Sequence, residues 1–377
     1  MKIIIAPNAF KGSLSAWEAA CCIEEGIKRA LPKARCIKVP VADGGDGTVE
    51  ALVRATGGKQ VYKKVDGPAG KPARAGFGVL GDNRTGVIEM AMASGLALIP
   101  KREQNPLKTT TYGTGQLIEA AMDKGCRYLI VGIGGSATVD GGIGMAQALG
   151  IKFLDKSGKE VGRGGGALAK IKNIDISGLD KRMKKTNVVV ACDVTNPLLG
   201  RNGSARIFGP QKGADPKMVV QLEAGLANLA RVIKRDLGKD IKNIPGAGAA
   251  GGLGAGLMAF LDANLKSGID LVIKAAELEQ KMKGADLVIT TEGCIDEQTA
   301  FGKAPAGVAA IGKKYKVPVV ALGGQVAGQT QGLHKCGINA VFSIIRSPLT
   351  LEQAIKESKP ALRQAAEQII RLYIAGR

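Results

Sequence analysis

Short apolar runs alternate with amphipathic segments along most of the chain. KIIIA at 2–6 reads as a strand, and after Ser13–Ser15 the spacing predicts a helix over AWEAACCIEEGIKRALP. Ser15 is placed to cap that helix, with Glu18 three residues on completing a capping box. Residues 35–41 read as a second strand, after which the ADGGDGT loop at 42–48 opens a helix through Val49–Ala55. From Lys59 to Met90 the pattern changes to short β-rich pieces (VYKKVD, ARAGFGVL, TGVIEM) set apart by Gly-Pro and Gly-Asp-Asn turns, which predict antiparallel strands. A helix over 112–125, a strand over 128–133 and a glycine-rich helix start over 139–150 follow. Two long helical patterns occupy 216–237 and 249–262. Past Lys283 the alternation becomes simple again: strand 286–290, helix 303–315, strands 317–322 and 339–345, helix 350–373. This is the pattern of an α/β protein with a largely parallel sheet. The two ends share it and the middle does not. The expected architecture is one discontinuous domain, 1–60 plus 284–377, with a second, mixed α/β domain over 61–283 inserted between its halves.

A length of 377 residues agrees with two domains. The 54 glycines are roughly twice the average share of about 7%. They cluster at strand-to-helix turns, where backbone must approach backbone or ligand. The formal charge of +20 suits anionic partners. Nucleic acid is disfavoured among them, because aromatics are only 3% and no recognition motif of that class occurs. Seven cysteines without CxxC spacing point to reduced thiols and a cytoplasmic protein. MKIIIAPNAF reads as a first strand and not as a signal peptide. Apolar segments reach only about ten residues, too short for a membrane span. Oligomeric state, monomer or homodimer, is left open.

Chemistry collects at strand ends. DLVITTEGCIDEQTAFGK at 286–303 is an apolar strand running into a loop that carries Glu292, Asp296, Gln298, Thr299 and Lys303. FKGS at 10–13, ADGGDGT, GIGGSATVDGG at 132–142 and ACDVTNP at 191–197 repeat the arrangement, which suggests a single polar, anion-handling cleft. Asp43 and Asp46 are helix caps or Mg²⁺ ligands. Asp193, after VVVAC, is a turn former or a general base towards a hydroxyl. Lys11 is a surface lysine or a point charge for phosphate or carboxylate. Cys192 and Cys294 read as thiols kept by burial, and the single histidine, His334, as a solvated or capping residue in a basic loop. Two glycine patterns raise a nicotinamide-dependent oxidoreductase as the alternative. GAGAAG at 246–251 lacks a preceding strand, whereas GIGGSA at 132–137 follows YLIV and has Asp155 at a suitable distance.

These motifs resemble the bacterial glycerate kinase family, which is unrelated in fold to P-loop or protein kinases. APNAFKGSLSA resembles the family's APDSFKGSLSA, ADGGDGT its ADGGEGT, and GIGGSATVDGG its GIGGSATNDGG. GRGGG at 162–166, ACDVTNPLLG, FGPQKGA at 208–214 and TTEGCIDEQTAFGKAP also match, so the resemblance covers nearly the whole chain. It implies a Rossmann-like domain with a second α/β domain, a cleft between them, and phosphorylation of D-glycerate by ATP with Mg²⁺, usually to 2-phosphoglycerate. On this reading Asp193 is the base, and Lys11 or Lys212 clamps the glycerate carboxylate beside Ser13, Asn196 and Gln211. Gly134, Gly135, Ser136, Thr138 and Lys303 meet phosphate, and Glu292 and Asp296 hold Mg²⁺, with Asp43 and Asp46 as second choice. The chain departs from the family pattern at Asn8, Val139, Thr291 and Cys294.

Overall fold

KIIIAP at Lys2–Pro7 is buried along nearly its whole length, as a strand covered on both faces must be. In the computed structural model, which describes residues 1–10, 12–300, 303–329 and 331–376, it sits inside a five-stranded parallel sheet. The order across that sheet is Ala340–Ser343, Val319–Val326, Leu287–Ile295, Lys2–Pro7, Arg35–Lys38. These strands belong to a unit made of residues 1–43, 50–57 and 269–377. The chain order reverses between Lys2–Pro7 and Leu287–Ile295, so their carboxyl ends form a topological switch point, where open α/β sheets bind ligands. Ile3, Ile5, Leu287, Ile289 and Leu322 pack one face of the sheet against Ile23 and Ile27 of helix Ala16–Ala30 and Leu362 and Ile370 of helix Ser358–Ala375. The capping box forms as expected, Ser15 Oγ accepting from Glu18 N and a Glu18 carboxylate oxygen from Ser15 N.

Three boundaries in this unit differ from the sequence reading. Leu287–Ile295 runs five residues past the expected end, because Glu292, Cys294 and Ile295 keep pairing with Gly323, Gln325 and Val326. Glu292 is therefore presented by a strand. The single helix expected over 350–373 is two, Leu351–Lys356 and Ser358–Ala375. Pro360 has no N–H to continue the first helix, and Ser358 Oγ instead donates to Ile355 O. His334 lies in the short helix Gln331–Cys336, not a loop, with its Nδ1 2.8 Å from Ile338 O. The residue is exposed, as the solvated alternative has it, and this bond ties down the turn after the helix.

The second unit, residues 44–49 and 58–268, holds a six-stranded sheet. Its order is Asn264–Lys266, Asn187–Ala191, Tyr128–Gly132, Thr85–Glu89, Pro72–Val79, Lys59–Asp66. The first four strands are parallel and the last two add antiparallel. Thr85–Glu89 thus joins the expected antiparallel group on one edge and the parallel sheet on the other. Helix Pro216–Leu237 matches its predicted span, whereas the helix start at 139–150 yields only Ile143–Ala148. Helix Ala249–Leu261 is interrupted at once, with Ala250, Gly251 and Gly252 in left-handed backbone. Among the described residues all seven cysteines are free, and no helix is long and apolar enough to cross a membrane.

Candidate functional site

In the second unit the sheet register brings distant sequence to one level. Glu89 pairs with Gly132, Gly132 with Ala191, and Ala191 with Lys266, so the loops after four parallel strands leave the sheet side by side. Asp193 is two residues past Ala191 and exposed, and its Oδ1 accepts a 2.9 Å hydrogen bond from Gly268 N in the loop after Lys266. Glu89 is buried at the end of its strand and accepts from Val49 N at 2.6 Å. Sequence reasoning passes over Glu89, because a glutamate closing TGVIE looks like an ordinary strand end. Asn196 Nδ2 donates to Asn202 O, and Gln211 is exposed. Cys192 is half-buried, burial pushes its thiol up, and Sγ contacts Val194 O, as the burial reading expected.

GIGGSATVDGG forms a long turn, and the short helix Ile143–Ala148 begins only after its last glycine. A Cβ at Gly132 would lie 2.4 Å from Gly44 O and one at Gly134 3.2 Å from Gly45 Cα, so two glycine loops touch backbone to backbone. Gly135 (φ +70°) sits against Asp46 Oδ1. Gly134 and Gly135 are the exposed part of this turn. Ser136 and Thr138 are buried, and Thr138 Oγ1 has no hydrogen-bond partner among the described residues. A dinucleotide fingerprint needs its turn to open a helix. Here the chain first passes Asp140 and Gly142, and Asp155 lies in an exposed turn after the separate hairpin strand Lys152–Leu154. GIGGSA is therefore not that fingerprint. GAGAAG is not one either, since its Gly251 lies so close to Thr138 O that a Cβ would approach it to 1.8 Å. Gly141 N donates to Gly251 O and Gly248 N to Asn196 O, so this segment ties the turn to the Asp193 loop.

Beneath the turn lies a buried ionic group. Lys212 is 1% exposed, and its Nζ donates to Ser136 Oγ (2.7 Å) and Thr138 O (2.8 Å). Burial draws its pKa down to about 7, against the opposing charge of Asp140. Asp140 is fully buried. Its carboxylate accepts from Thr111 N, Thr111 Oγ1 and Gly142 N, while burial pushes its pKa up against these donors. Thr111 Oγ1 also accepts from Met145 N, and Thr109 Oγ1 donates to Ala137 O. The run Thr109–Thr111 is the available signal for this network. It looks like the polar lead-in to a helix.

In the first unit the strand Leu287–Ile295 and the short helical turn Glu297–Ala300 place Glu292, Asp296 and Thr299 together with Lys303. Lys303 Nζ is 3.3 Å from Asp296 Oδ1 and 3.9 Å from Glu292 Oε1. Thr299 Oγ1 is within 3.3 Å of both carboxylates, and Thr299 N donates to Asp296 Oδ1. Burial pushes Glu292 up, opposed by the Lys303 charge, and the Asp43 charge adds to the rise. At Asp296 burial pulls upward, yet Lys303 and Thr299 together hold it below the ordinary range. Lys303 occupies the N-cap position of the twelve-residue helix Ala304–Tyr315, whose N-terminal dipole favours an anion. No group of three or more His, Cys, Asp or Glu side chains suited to a metal occurs among the described residues. Two carboxylates suffice for Mg²⁺ only when phosphate oxygens and water complete its octahedron, and this donor set fits that case. Ser13 Oγ donates to Ser358 Oγ, and Lys11 lies outside the described residues.

Two departures from the family pattern meet each other. Thr291 Oγ1 donates to Asn8 O at 2.7 Å, and Asn8 N donates to Thr291 O, which fastens the two strand ends at the switch point. Val139 is buried in the core of its own unit.

The model of the glycerate kinase family matches residues 3–374. The chain is 51% identical over 376 residues to the glycerate 2-kinase of Escherichia coli (strain K12), covering all of this chain and 99% of that one. It is also 51% identical to the glycerate kinase of Bacillus subtilis (strain 168), over 98% of this chain and 97% of the relative. The crystal structure of a candidate glycerate kinase 2 from Salmonella typhimurium LT2 superposes with a TM-score of 0.92 at 48% identity, covering 100% of this chain and 99% of that one. Full-length identity at this level, on a fold with a polar array at two sets of strand ends, leaves one assignment: the chain belongs to the glycerate kinase family and is a kinase.

Proposed function

We propose that the chain transfers the terminal phosphoryl group of ATP to the 2-hydroxyl of D-glycerate, giving 2-phospho-D-glycerate and ADP. The observation that carries this reading is the knot of Glu292, Asp296, Thr299 and Lys303 at the switch point of a parallel sheet. It offers an ammonium for phosphate oxygens and two carboxylates for a phosphate-bound cation. The relative named as a glycerate 2-kinase supports the choice of hydroxyl.

Phosphoryl transfer asks for positioning and charge neutralisation more than for covalent chemistry. Asp193 takes the proton of the glycerate hydroxyl as its oxygen bonds to the γ-phosphorus, and the bond from that phosphorus to the β-phosphate oxygen breaks. Glu292 and Asp296 hold Mg²⁺, which when bound neutralises charge on the phosphates, while Lys303 meets the phosphate oxygens. Gly134 and Gly135 offer exposed backbone to an anion. Lys11 clamps the carboxylate, with Asn196 and Gln211 as polar contacts. Lys212, turned inward onto Ser136 and Thr138, acts as a positioning residue for the glycine turn.

The test is ADP release from ATP and Mg²⁺ with D-glycerate, L-glycerate or no acceptor, with the product read by phosphorus NMR. ADP formed only with D-glycerate, and a phosphorus signal coupled to a single carbon-bound proton, is the expected result. Acceptor-independent ADP release, or none, overturns the reading. Asp296→Ala should raise the Mg²⁺ concentration for half-maximal rate by about tenfold or more, the loss expected when one of two protein carboxylates leaves a Mg²⁺ site. An unchanged Mg²⁺ titration moves the ion to Asp43 or Asp46.

A further inference from the structure

The first unit contains a cavity of about 530 Å³ to which the roles above assign no ligand. It opens where parallel strands end: Gly293 follows Glu292, Gly324 and Gln325 lie near the end of Val319–Val326, and Ser343 ends Ala340–Ser343. Phe10, three residues past Lys2–Pro7, closes another side. The cavity therefore sits at the carboxyl edge of the sheet that carries the switch point. Most of its surface is apolar side chain, including Ile344, Leu349, Leu351 and Ile355. Three of these are unusually open to solvent, Leu349 at 40%, Leu351 at 77% and Ile355 at 38%. Large apolar groups gathered on one concave wall mark a place that a ligand covers. Part of the wall has no side chains at all. A Cβ on Gly324 would stand 2.7 Å from Gly293 O and 3.5 Å from the Phe10 ring. Polar groups are few. Ser13 and Ser358 are bonded to each other, the Ser343 hydroxyl accepts from Ile345 N, and Gln325 presents an exposed amide.

We infer that this cavity takes the purine ring of the nucleotide, at the same carboxyl edge of the sheet that carries Glu292, Asp296 and Lys303. The inference rests on ATP being the phosphoryl donor. A planar heteroaromatic ring matches the surface: its faces need apolar cover, and its edge needs a few groups able both to donate and to accept, as the Gln325 amide can. Glycerate, a small anion, does not match walls of leucine and isoleucine.

Photolabelling with 8-azido-ATP and Mg²⁺, followed by peptide mass spectrometry, tests the placement. Label is expected within 323–326 or 341–358, suppressed by excess ATP. Ser343→Trp, at an exposed strand end, should raise KM for ATP about tenfold or more, since roughly ten ring atoms of drug-like efficiency are displaced. Leu351→Asn should act in the same direction. Affinity for inorganic tripolyphosphate with Mg²⁺, measured by calorimetry, should stay within about twofold, because a ligand without a base makes none of these contacts. Label confined to other peptides, an unchanged KM for ATP in both variants, or an equal loss of tripolyphosphate affinity overturns the base site while leaving ATP as donor. If the unaltered chain forms no ADP with D-glycerate, the donor reading fails and the base site falls with it.

Discussion

Exchange of Asp193 for asparagine is expected to leave the fold intact and to lower kcat by about 10²–10⁴-fold, the share that a positioned base contributes. Asparagine is nearly isosteric, and its Oδ1 still accepts from Gly268 N, so the loop keeps the bond that holds it at the sheet edge. What it lacks is a carboxylate able to take a proton from an alcohol. Because the loss falls in the transition state, kcat and kcat/KM should drop together while KM for D-glycerate changes little. A rate within about threefold of the unaltered enzyme would remove Asp193 from the base role, since a base loss is worth at least about 10². Glu89, level with Ala191 two strands away, would then be the next carboxylate to test.

Asp140→Ala carries the largest expected effect on stability, about 3–5 kcal/mol, since each buried donor left without its acceptor costs about 1–3 kcal/mol. Three donors, Thr111 N, Thr111 Oγ1 and Gly142 N, lose their acceptor, and the Lys212 ammonium loses its compensating charge. Amide exchange at Thr111 and Gly142 should accelerate first, because those N–H groups bond directly to the missing carboxylate. Protection equal to that of the unaltered chain would show that the network is not held by Asp140.

The same group sets a pH dependence. The pKa of Lys212 is about 7 when folded, below the ordinary 10.5. Between these values the unfolded chain binds the extra proton, so stability from this group rises with pH from about 7 to 10.5, and below about 7 the full burial cost is present. Lys212→Met should abolish that rise in urea unfolding. Asp140 works in the opposite sense: its folded pKa is raised, so its contribution is present below the ordinary carboxylate range and is lost as pH climbs through the raised value.

Several parts of the site are legible in the sequence because their signal is local. Asp193 follows an apolar run and precedes a proline, so a strand-end turn is readable from a few residues. The Glu292–Lys303 stretch carries its two carboxylates, threonine and lysine close together, and a single strand-and-turn unites them. Lys212 is the contrary case. Its residue type and motif point to an exposed anion clamp, yet the fold buries it against Ser136, 76 positions away. Burial of a long basic side chain depends on which backbone closes over it, and no local pattern encodes that. Glu89 fails to stand out for a related reason, since its place beside Gly132 and Ala191 is a matter of strand register.

The amino-acid sequence determined the alternation of strands and helices, the helix caps and the strand-end loops, because hydrophobic period and capping chemistry act over a few residues. The tertiary structure decided that Leu287–Ile295 continues through Glu292, that Thr291 fastens to Asn8, that GAGAAG serves as a backbone clamp, and that Lys212 and Asp140 lie buried beneath the glycine turn. Each of these rests on close approach between segments far apart in the chain. Only the folded sheet, by fixing which backbone meets which, supplies that energy.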